Sequence, residues 1–203
     1  MKYTLLLGSE SKSRQKLLHD ARIPFKTIGH SADESACDWN MPLKEVLTSI
    51  TCSKMEHVVL PVGNEGDYSF VLTADTMGLD SKGNIHGKPI SKEDAIEKII
   101  ALRGRGKVAT AFCLDKKQFL NNFWQVQQRI VQVVETEYEF NIPNEWIEHY
   151  LQEVPDYMTI SGAITIEGFG AQFLKSIRGS YTSIIGLPMF EVREALQALD
   201  FFN

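Results

Sequence analysis

The order of apolar and polar positions in the first half of the chain predicts strands that alternate with helices. Apolar runs that are typical of buried strands occur at 3–7, 25–28 and 70–74. Helical spacing predicts helices at 16–21 and 43–60. Asp75 and Thr76 follow the third apolar run directly, so the pattern places both residues at the carboxyl end of that strand.

The second half of the chain adds two long strands that read as a hairpin. These strands are predicted at 108–119 and 126–140, and shorter strands at 162–166 and 173–177. Helices are predicted at 91–102, 143–150 and 191–199, and a hairpin turn at 80–84. Strands and helices mixed in this order favour an α/β fold, with a mixed, twisted sheet flanked by helices, over a helical bundle or a β-sandwich.

Length and composition describe a globular chain with a full core. The 203 residues are 43% hydrophobic, and we expect one domain over 1–203, or two small lobes. Charged residues at 23% and aromatic residues at 10% exclude disordered and fibrous classes. The net charge of −5 argues against binding of nucleic acid through bulk positive charge.

Three further features indicate a cytoplasmic protein without a membrane anchor. No stretch approaches the roughly 18 apolar residues of a spanning helix. The apolar start of the chain ends at Gly8 and is too short for a signal peptide. The cysteines are odd in number and form no C-x-x-C pair, which favours reduced thiols at Cys37, Cys52 and Cys113.

The transition from the first strand to the first helix is a candidate phosphate site. Ser9, Ser11 and Arg14 lie there, where unpaired backbone N–H groups attract phosphate oxygens and a guanidinium can bind the same anion. The alternative is that Ser11 only caps the helix while Arg14 is a solvated side chain of its first turn.

Two acidic residues and two lysines are candidates for the chemistry. Asp75 could hold a divalent metal or activate water, or it could cap a turn. Glu34 is a weaker candidate, because acidic loop residues are usually just solvated. Lys88 lies in a stiff turn between Gly87 and Pro89, where an ammonium can neutralise phosphate, whereas Lys54 falls inside a predicted helix, usually a surface position.

Other common catalytic signatures are absent from the sequence. The five histidines show no zinc spacing, and there is no P-loop, no G-x-S-x-G elbow and no dinucleotide fingerprint. The loop 167–170, Glu-Gly-Phe-Gly, offers a flexible close approach with the single carboxylate of Glu167, or a plain connection between strands.

Five short motifs, taken together and in order, resemble the Maf family of nucleoside triphosphate pyrophosphatases over nearly the whole chain. They are LLLGSES at 5–11, TADT at 73–76, GKP at 87–89, LRGR at 102–105 and GLP at 186–188. The resemblance implies hydrolysis of a nucleoside triphosphate to its monophosphate and pyrophosphate, with Mg²⁺ or Mn²⁺, in a central cleft between two lobes. It also implies a cytoplasmic homodimer.

Site roles follow from the resemblance position by position. The phosphates would be bound by Ser9, Ser11 and Arg14 and neutralised by Lys54 and Lys88. Metal or water would be held by Glu34 and Asp75. The residue types agree with these roles, because a triphosphate calls for cationic side chains and its Mg²⁺ for one or two carboxylates.

Two departures from the family pattern bear on the substrate. Many members carry two arginines where this chain has only Arg14, and many carry Gln where this chain has Glu167. A carboxylate only accepts hydrogen bonds, which suits the N1–H and N2–H donors of guanine and favours 7-methyl-GTP. Residues 73–76 are closer to the branch that cleaves dTTP and UTP. A third interpretation is a nucleotide-binding regulator of septum formation that has lost turnover.

Overall fold

The computed structural model describes residues 2–33, 37, 38 and 40–203. Its strands are β1 (Leu5–Leu7), β2 (Phe25–Thr27), β3 (Tyr68–Leu79), β4 (Ile85–His86), β5 (Gly104–Leu120), β6 (Phe123–Phe140) and β7 (Leu174–Arg178). Its helices are α1 (Lys12–Asp20), α2 (Leu43–Glu56), α3 (Lys92–Leu102), α4 (Asn144–Glu153), α5 (Tyr181–Ile185) and α6 (Met189–Ala198). Short 3-10 segments occupy Tyr157–Thr159, Ser161–Ala163 and Gly168–Phe173.

The strands form one mixed sheet in the order β2-β1-β3-β5-β6-β7, with β4 paired to β3. β1 runs parallel to β2 and β3, whereas β4 and β7 run antiparallel to β3 and β6. Asn121 and Asn122 connect β5 to β6, and both have positive φ, as a two-residue type I′ hairpin turn requires. The predicted α/β class with a mixed sheet is confirmed.

Contacts divide the chain into two compact units. The first comprises Met1–Asp75, Ala111–Val133 and Gly186–Asn203. In this unit Phe70 and Leu72 of β3 belong to a core that also contains residues of α1 and α6. Val71, between them, packs with Met55 of α2 and Cys113 of β5 instead. β3 is therefore buried on both faces, which explains its uninterrupted apolar run.

The second unit comprises Thr76–Thr110 and Val134–Ile185 and has its own core. Ala95 and Ile99 of α3 pack there with Ile147 and Leu151 of α4. Aromatic rings complete the cluster, among them Phe140, Tyr150 and Phe173, whose centroids lie 5.9–6.2 Å apart. Such tilted and edge-to-face pairs add to the free energy gained from burying the rings.

A fully buried carboxylate in β5 anchors an ion cluster in the first unit. Asp115 accepts from Arg129 Nε at 2.6 Å and from Arg129 Nη2 at 2.7 Å, a two-pronged pairing. Lys117 lies 3.2 Å from the same carboxylate, and Arg129 also bonds to Glu56 of α2. These contacts raise the pKa of Arg129, first through the Asp115 hydrogen bonds. The cluster ties α2, β5 and β6 together.

Two sequence predictions of strand structure are wrong. Strand β3 does not end before Asp75 but continues to Leu79, so Asp75 and Thr76 lie inside it. The strand continues because both side chains find partners and β4 pairs with its far end. The strand predicted at 162–166 is absent, since Gly162 and Ala163 both have positive φ and form a 3-10 turn.

The other elements predicted from the pattern are confirmed, with shifts of a few residues at their ends. Helix α2 ends at Glu56, four residues earlier than predicted, and Ser91 caps α3 by accepting from the N–H of Asp94. No helix within the described part of the chain is long and apolar enough to cross a membrane.

Candidate functional site

The turn from β1 into α1 orients Arg14 inside the first unit. Although it lies in the first turn of α1, Arg14 is only 8% exposed. Its Nη1 donates to Ser9 Oγ at 3.0 Å, and its Nε donates to the carbonyl oxygen of Gly186 at 2.8 Å. Arg14 is therefore not the solvated side chain that the capping alternative requires.

Ser11 caps α1, as the sequence predicts. Its Oγ accepts from the N–H of Arg14 at 3.5 Å, and its own N–H donates to Ser9 Oγ at 3.3 Å. The two serines and the arginine thus share one small hydrogen-bond network at a helix N-terminus. That combination of hydroxyls, backbone N–H groups and a guanidinium is suited to a phosphate group.

A buried ion pair joins α2 to β3. Lys54 Nζ donates to Asp75 Oδ1 at 2.6 Å, and the side chains are 5% and 10% exposed. One helical turn earlier, the carbonyl oxygen of Thr51 accepts from Thr73 Oγ1 at 2.9 Å. Thr51 and Lys54 lie about one turn apart on α2, and Thr73 and Asp75 lie on the same face of β3. Both contacts are therefore made between one side of the helix and one face of the strand. Lys54 is not the surface residue that its mid-helix position suggests.

The parallel register of β1 and β3 brings this ion pair near the serine and arginine network. Leu7 pairs with Leu72, and the N–H of Gly8 donates to the carbonyl oxygen of Leu72 at 2.8 Å. Continuing that register places Ser9 level with residue 74, next to Asp75. The serine and arginine network and the ion pair therefore both belong to the first unit.

The chemistry of Asp75 fits a divalent metal that also binds substrate phosphates. A carboxylate has about four lone-pair sites, so Asp75 can accept from Lys54 and still ligate a cation. Mg²⁺ is usually held by one or two carboxylates together with phosphate oxygens and water. Within the described residues, no three His, Cys, Asp or Glu side chains form a metal cluster. Glu34, the other predicted ligand, lies outside the described residues.

Lys88 and Glu167 both belong to the second unit, and backbone contacts connect their segments. Lys88 is exposed, in the turn that precedes α3. The N–H of Gly162 donates to the carbonyl oxygen of Gly87 at 2.9 Å, and Ser161 Oγ donates to that of His86 at 3.0 Å. The turn with Lys88 is thereby fixed to the segment that leads to Glu167.

The loop that carries Glu167 is closely packed. A Cβ on Gly170 would lie 1.9 Å from the carbonyl oxygen of Thr165, so only glycine fits there. Phe169 packs against His149, with ring centroids 5.1 Å apart. Glu167 itself is half-buried, and its N–H donates to Thr165 Oγ1.

Sequence reasoning missed the residues that support these loops. Tyr150 donates to the carbonyl oxygen of Ala163 at 3.1 Å and accepts from the N–H of Thr165 at 2.7 Å. Its burial raises the pKa of the phenol above its usual value, so it stays a neutral donor. The Gly186-Leu187-Pro188 motif was recognised, but nothing local shows that the Gly186 carbonyl holds Arg14.

Comparison with known proteins decides the family. The family model described as "Maf-like protein" matches residues 4–199. The chain belongs to the Maf-like proteins. A dTTP/UTP pyrophosphatase of Fusobacterium nucleatum is 31% identical over 97% of this chain and 96% of its own length. A dTTP/UTP pyrophosphatase of Acinetobacter baylyi is 28% identical over 97% and 100%.

A third Maf-like relative carries a broader name. A nucleoside triphosphate pyrophosphatase of Prochlorococcus marinus is 30% identical over 95% of both chains. The family resemblance that the five motifs indicate is confirmed. The first two relatives are named for dTTP and UTP and not for 7-methyl-GTP.

Proposed function

We propose that the protein is a nucleoside triphosphate pyrophosphatase that hydrolyses dTTP or UTP, with residues 1–203 acting as one Maf-like domain. The observation that carries the proposal is the buried pair of Lys54 and Asp75, in the same unit as the hydrogen-bonded Ser9 and Arg14. Full-length similarity to proteins named dTTP/UTP pyrophosphatase supports it. A homodimer in the cytoplasm belongs to the same proposal.

Binding of the triphosphate falls to the cationic and hydroxyl groups. Arg14 is held by two hydrogen bonds, so its guanidinium needs little reordering to bind phosphate oxygens. Ser9 and Ser11 add hydroxyl and backbone donors at the start of α1. Lys54 and Lys88 neutralise negative charge that would otherwise repel an incoming nucleophile.

Asp75 is the proposed group that orients and deprotonates the attacking water. The water oxygen bonds to the α-phosphorus while the bond from that phosphorus to its bridging oxygen breaks, releasing pyrophosphate and the monophosphate. The proton passes to the Asp75 carboxylate, which Lys54 holds in place. Asp75 and Glu34 would hold Mg²⁺ or Mn²⁺, which when bound withdraws charge from the phosphate oxygens.

Recognition of the base is assigned to Glu167. Its carboxylate can accept from the N3–H of uracil or thymine, which suits dTTP and UTP. The same group can accept from the N1–H and N2–H of guanine, and this is the observation that favours the second candidate, 7-methyl-GTP. Both candidates use the same phosphate chemistry and differ only in the base.

A panel of substrates tests the proposed function. Pyrophosphate release is measured with UTP, dTTP, CTP, GTP and 7-methyl-GTP, with Mg²⁺, with Mn²⁺ and with a chelator. We expect metal-dependent release that is fastest with UTP or dTTP. If release is fastest with 7-methyl-GTP, the pyrophosphatase activity stands and the preferred base is 7-methylguanine. Saturable nucleotide binding without turnover would point instead to a regulator.

Replacing Glu167 with glutamine should shift the choice of base. The amide can donate as well as accept, so it serves the O4 and N3–H edge of uracil and loses the charged acceptor for guanine. We expect kcat/KM for UTP relative to 7-methyl-GTP to rise about tenfold or more, the size of one charged hydrogen bond. Glu153→Gln, at the exposed end of α4, is the matched control. An unchanged ratio would remove Glu167 from base recognition.

A further inference from the structure

A directed chain of hydroxyl groups crosses the sheet inside the second unit. Thr76 Oγ1 of β3 and Thr110 Oγ1 of β5 lie 2.9 Å apart, and Thr110 Oγ1 donates to the carbonyl oxygen of Ser183 in α5 at 2.7 Å. A threonine hydroxyl has one proton, so Thr110, having donated it to Ser183, accepts from Thr76. Thr110 is fully buried. The direction of the whole chain is therefore fixed.

One end of this chain holds the backbone next to Asp75. Thr76 is the neighbour of Asp75 in β3, and successive residues of a strand point to opposite faces. Asp75 contacts Lys54 of α2 on one face, while Thr76 contacts Thr110 on the other. The hydroxyl chain thus holds β3 at Thr76, on the face of the strand opposite to Lys54. Thr76 is the residue next to Asp75, the proposed general base.

The other end holds the segment that orients Arg14. Ser183 receives the Thr110 hydrogen bond on its carbonyl oxygen, and its Oγ donates to the carbonyl oxygen of Val134 in β6 at 3.1 Å. Three residues later along the chain, the carbonyl oxygen of Gly186 accepts from Arg14 Nε. Gly186 therefore follows directly after α5 along the chain.

We propose that Thr110 is a positioning residue for the pyrophosphatase reaction, acting on Asp75 through Thr76 and on Arg14 through Ser183 and Gly186. This inference rests on the proposed function. Thr110 touches no substrate in this scheme, and its single hydroxyl connects the backbone supports of two reacting groups. A misplacement of about 1 Å in a reacting geometry can cost on the order of 100-fold in rate.

The test compares two substitutions at one position. Thr110→Val keeps the shape of the side chain and removes the hydroxyl, whereas Thr110→Ser keeps the hydroxyl and removes a methyl group. With the preferred nucleotide of the panel, we expect Thr110→Val to lower kcat roughly 10- to 100-fold and KM to change much less. We expect Thr110→Ser to restore kcat to within about threefold of the wild-type value, because the hydroxyl chain is intact.

A second variant separates positioning from stability. Tyr138 is buried in the same unit and donates its hydroxyl to the carbonyl oxygen of Leu102 at 2.9 Å. Tyr138→Phe removes a comparable bond that leads to neither Asp75 nor Gly186. It should lower Tm to a similar extent as Thr110→Val and leave kcat unchanged.

The outcomes keep the two proposals apart. Suppose that the wild type is active. If Thr110→Val leaves kcat unchanged, or if Tyr138→Phe lowers kcat equally, the positioning role of Thr110 is overturned while the proposed function stands. A wild type without turnover on any nucleotide overturns the proposed function and this inference with it. If Thr110→Val does not fold, Thr76→Val removes the donor of the chain at a half-buried site and should lower kcat in the same direction.

Discussion

Asp75→Asn should lower kcat for pyrophosphate release about 10²- to 10⁴-fold, the usual contribution of a general base. The amide cannot take a proton from water and is a poor ligand for a divalent cation. Single-turnover measurements with the preferred nucleotide check this directly. Asp200→Asn, whose side chain is 62% exposed, is the matched control and should keep full activity. Undiminished turnover in Asp75→Asn would exclude the residue from the chemistry.

The same substitution also tests the ion pair. Removing one partner of a buried pair typically costs about 3–5 kcal/mol, whereas replacing both with apolar groups is often neutral. The double variant Lys54→Met with Asp75→Leu should therefore unfold at a higher urea concentration than Asp75→Asn alone, and it should remain inactive. That pattern separates lost chemistry from lost stability.

Asp115→Ala should produce a large loss of stability. The carboxylate is fully buried and compensates both Arg129 and Lys117, so its removal leaves two cations without their shared partner. Arg129 is 28% exposed and keeps Glu56, which places the cost near the lower end of the range, at about 3 kcal/mol. For a chain of this length we expect Tm to fall by roughly 6–12 °C.

An exposed pair provides the comparison for that measurement. Glu137 and Arg178 lie across β6 and β7, and their side chains are 44% and 82% exposed. Solvent screens such pairs, so Glu137→Gln should cost about 1 kcal/mol or less. Equal shifts of Tm in the two variants would contradict the structural role assigned to Asp115.

The apolar pattern was enough to predict most of the fold, because burial fixes the period of each element. It was not enough where a polar side chain finds a partner far away in sequence. Asp75 interrupts an apolar run and therefore reads as the end of a strand, although Lys54, 21 residues earlier, lets β3 continue through it. At 162–166 the apolar residues resemble a strand, but the Tyr150 hydroxyl takes the backbone groups that a strand would pair.

The sequence indicates which residue types form the candidate site, but it does not indicate the distant groups that hydrogen-bond to them. The resemblance to the family named Ser9, Arg14 and Lys54 as candidates. The Gly186 carbonyl and the Thr110 hydroxyl act through contacts 172 and 34 residues apart in sequence, for which no local pattern exists. The 7-methyl-GTP interpretation rests on Glu167 and on the single arginine, Arg14, whereas two relatives are named dTTP/UTP pyrophosphatase.

Burial of β3 on both faces limits how the length of this chain can change during evolution. One residue gained or lost within the strand before Asp75 would turn that carboxylate toward the core around Phe70 and Leu72, and would set an apolar side chain opposite Lys54. A change of length at 57–67, between α2 and β3, would instead leave the alternation of faces within the strand unchanged. The alternation of side chains along this one strand therefore fixes both the packing of the core and the position of Asp75.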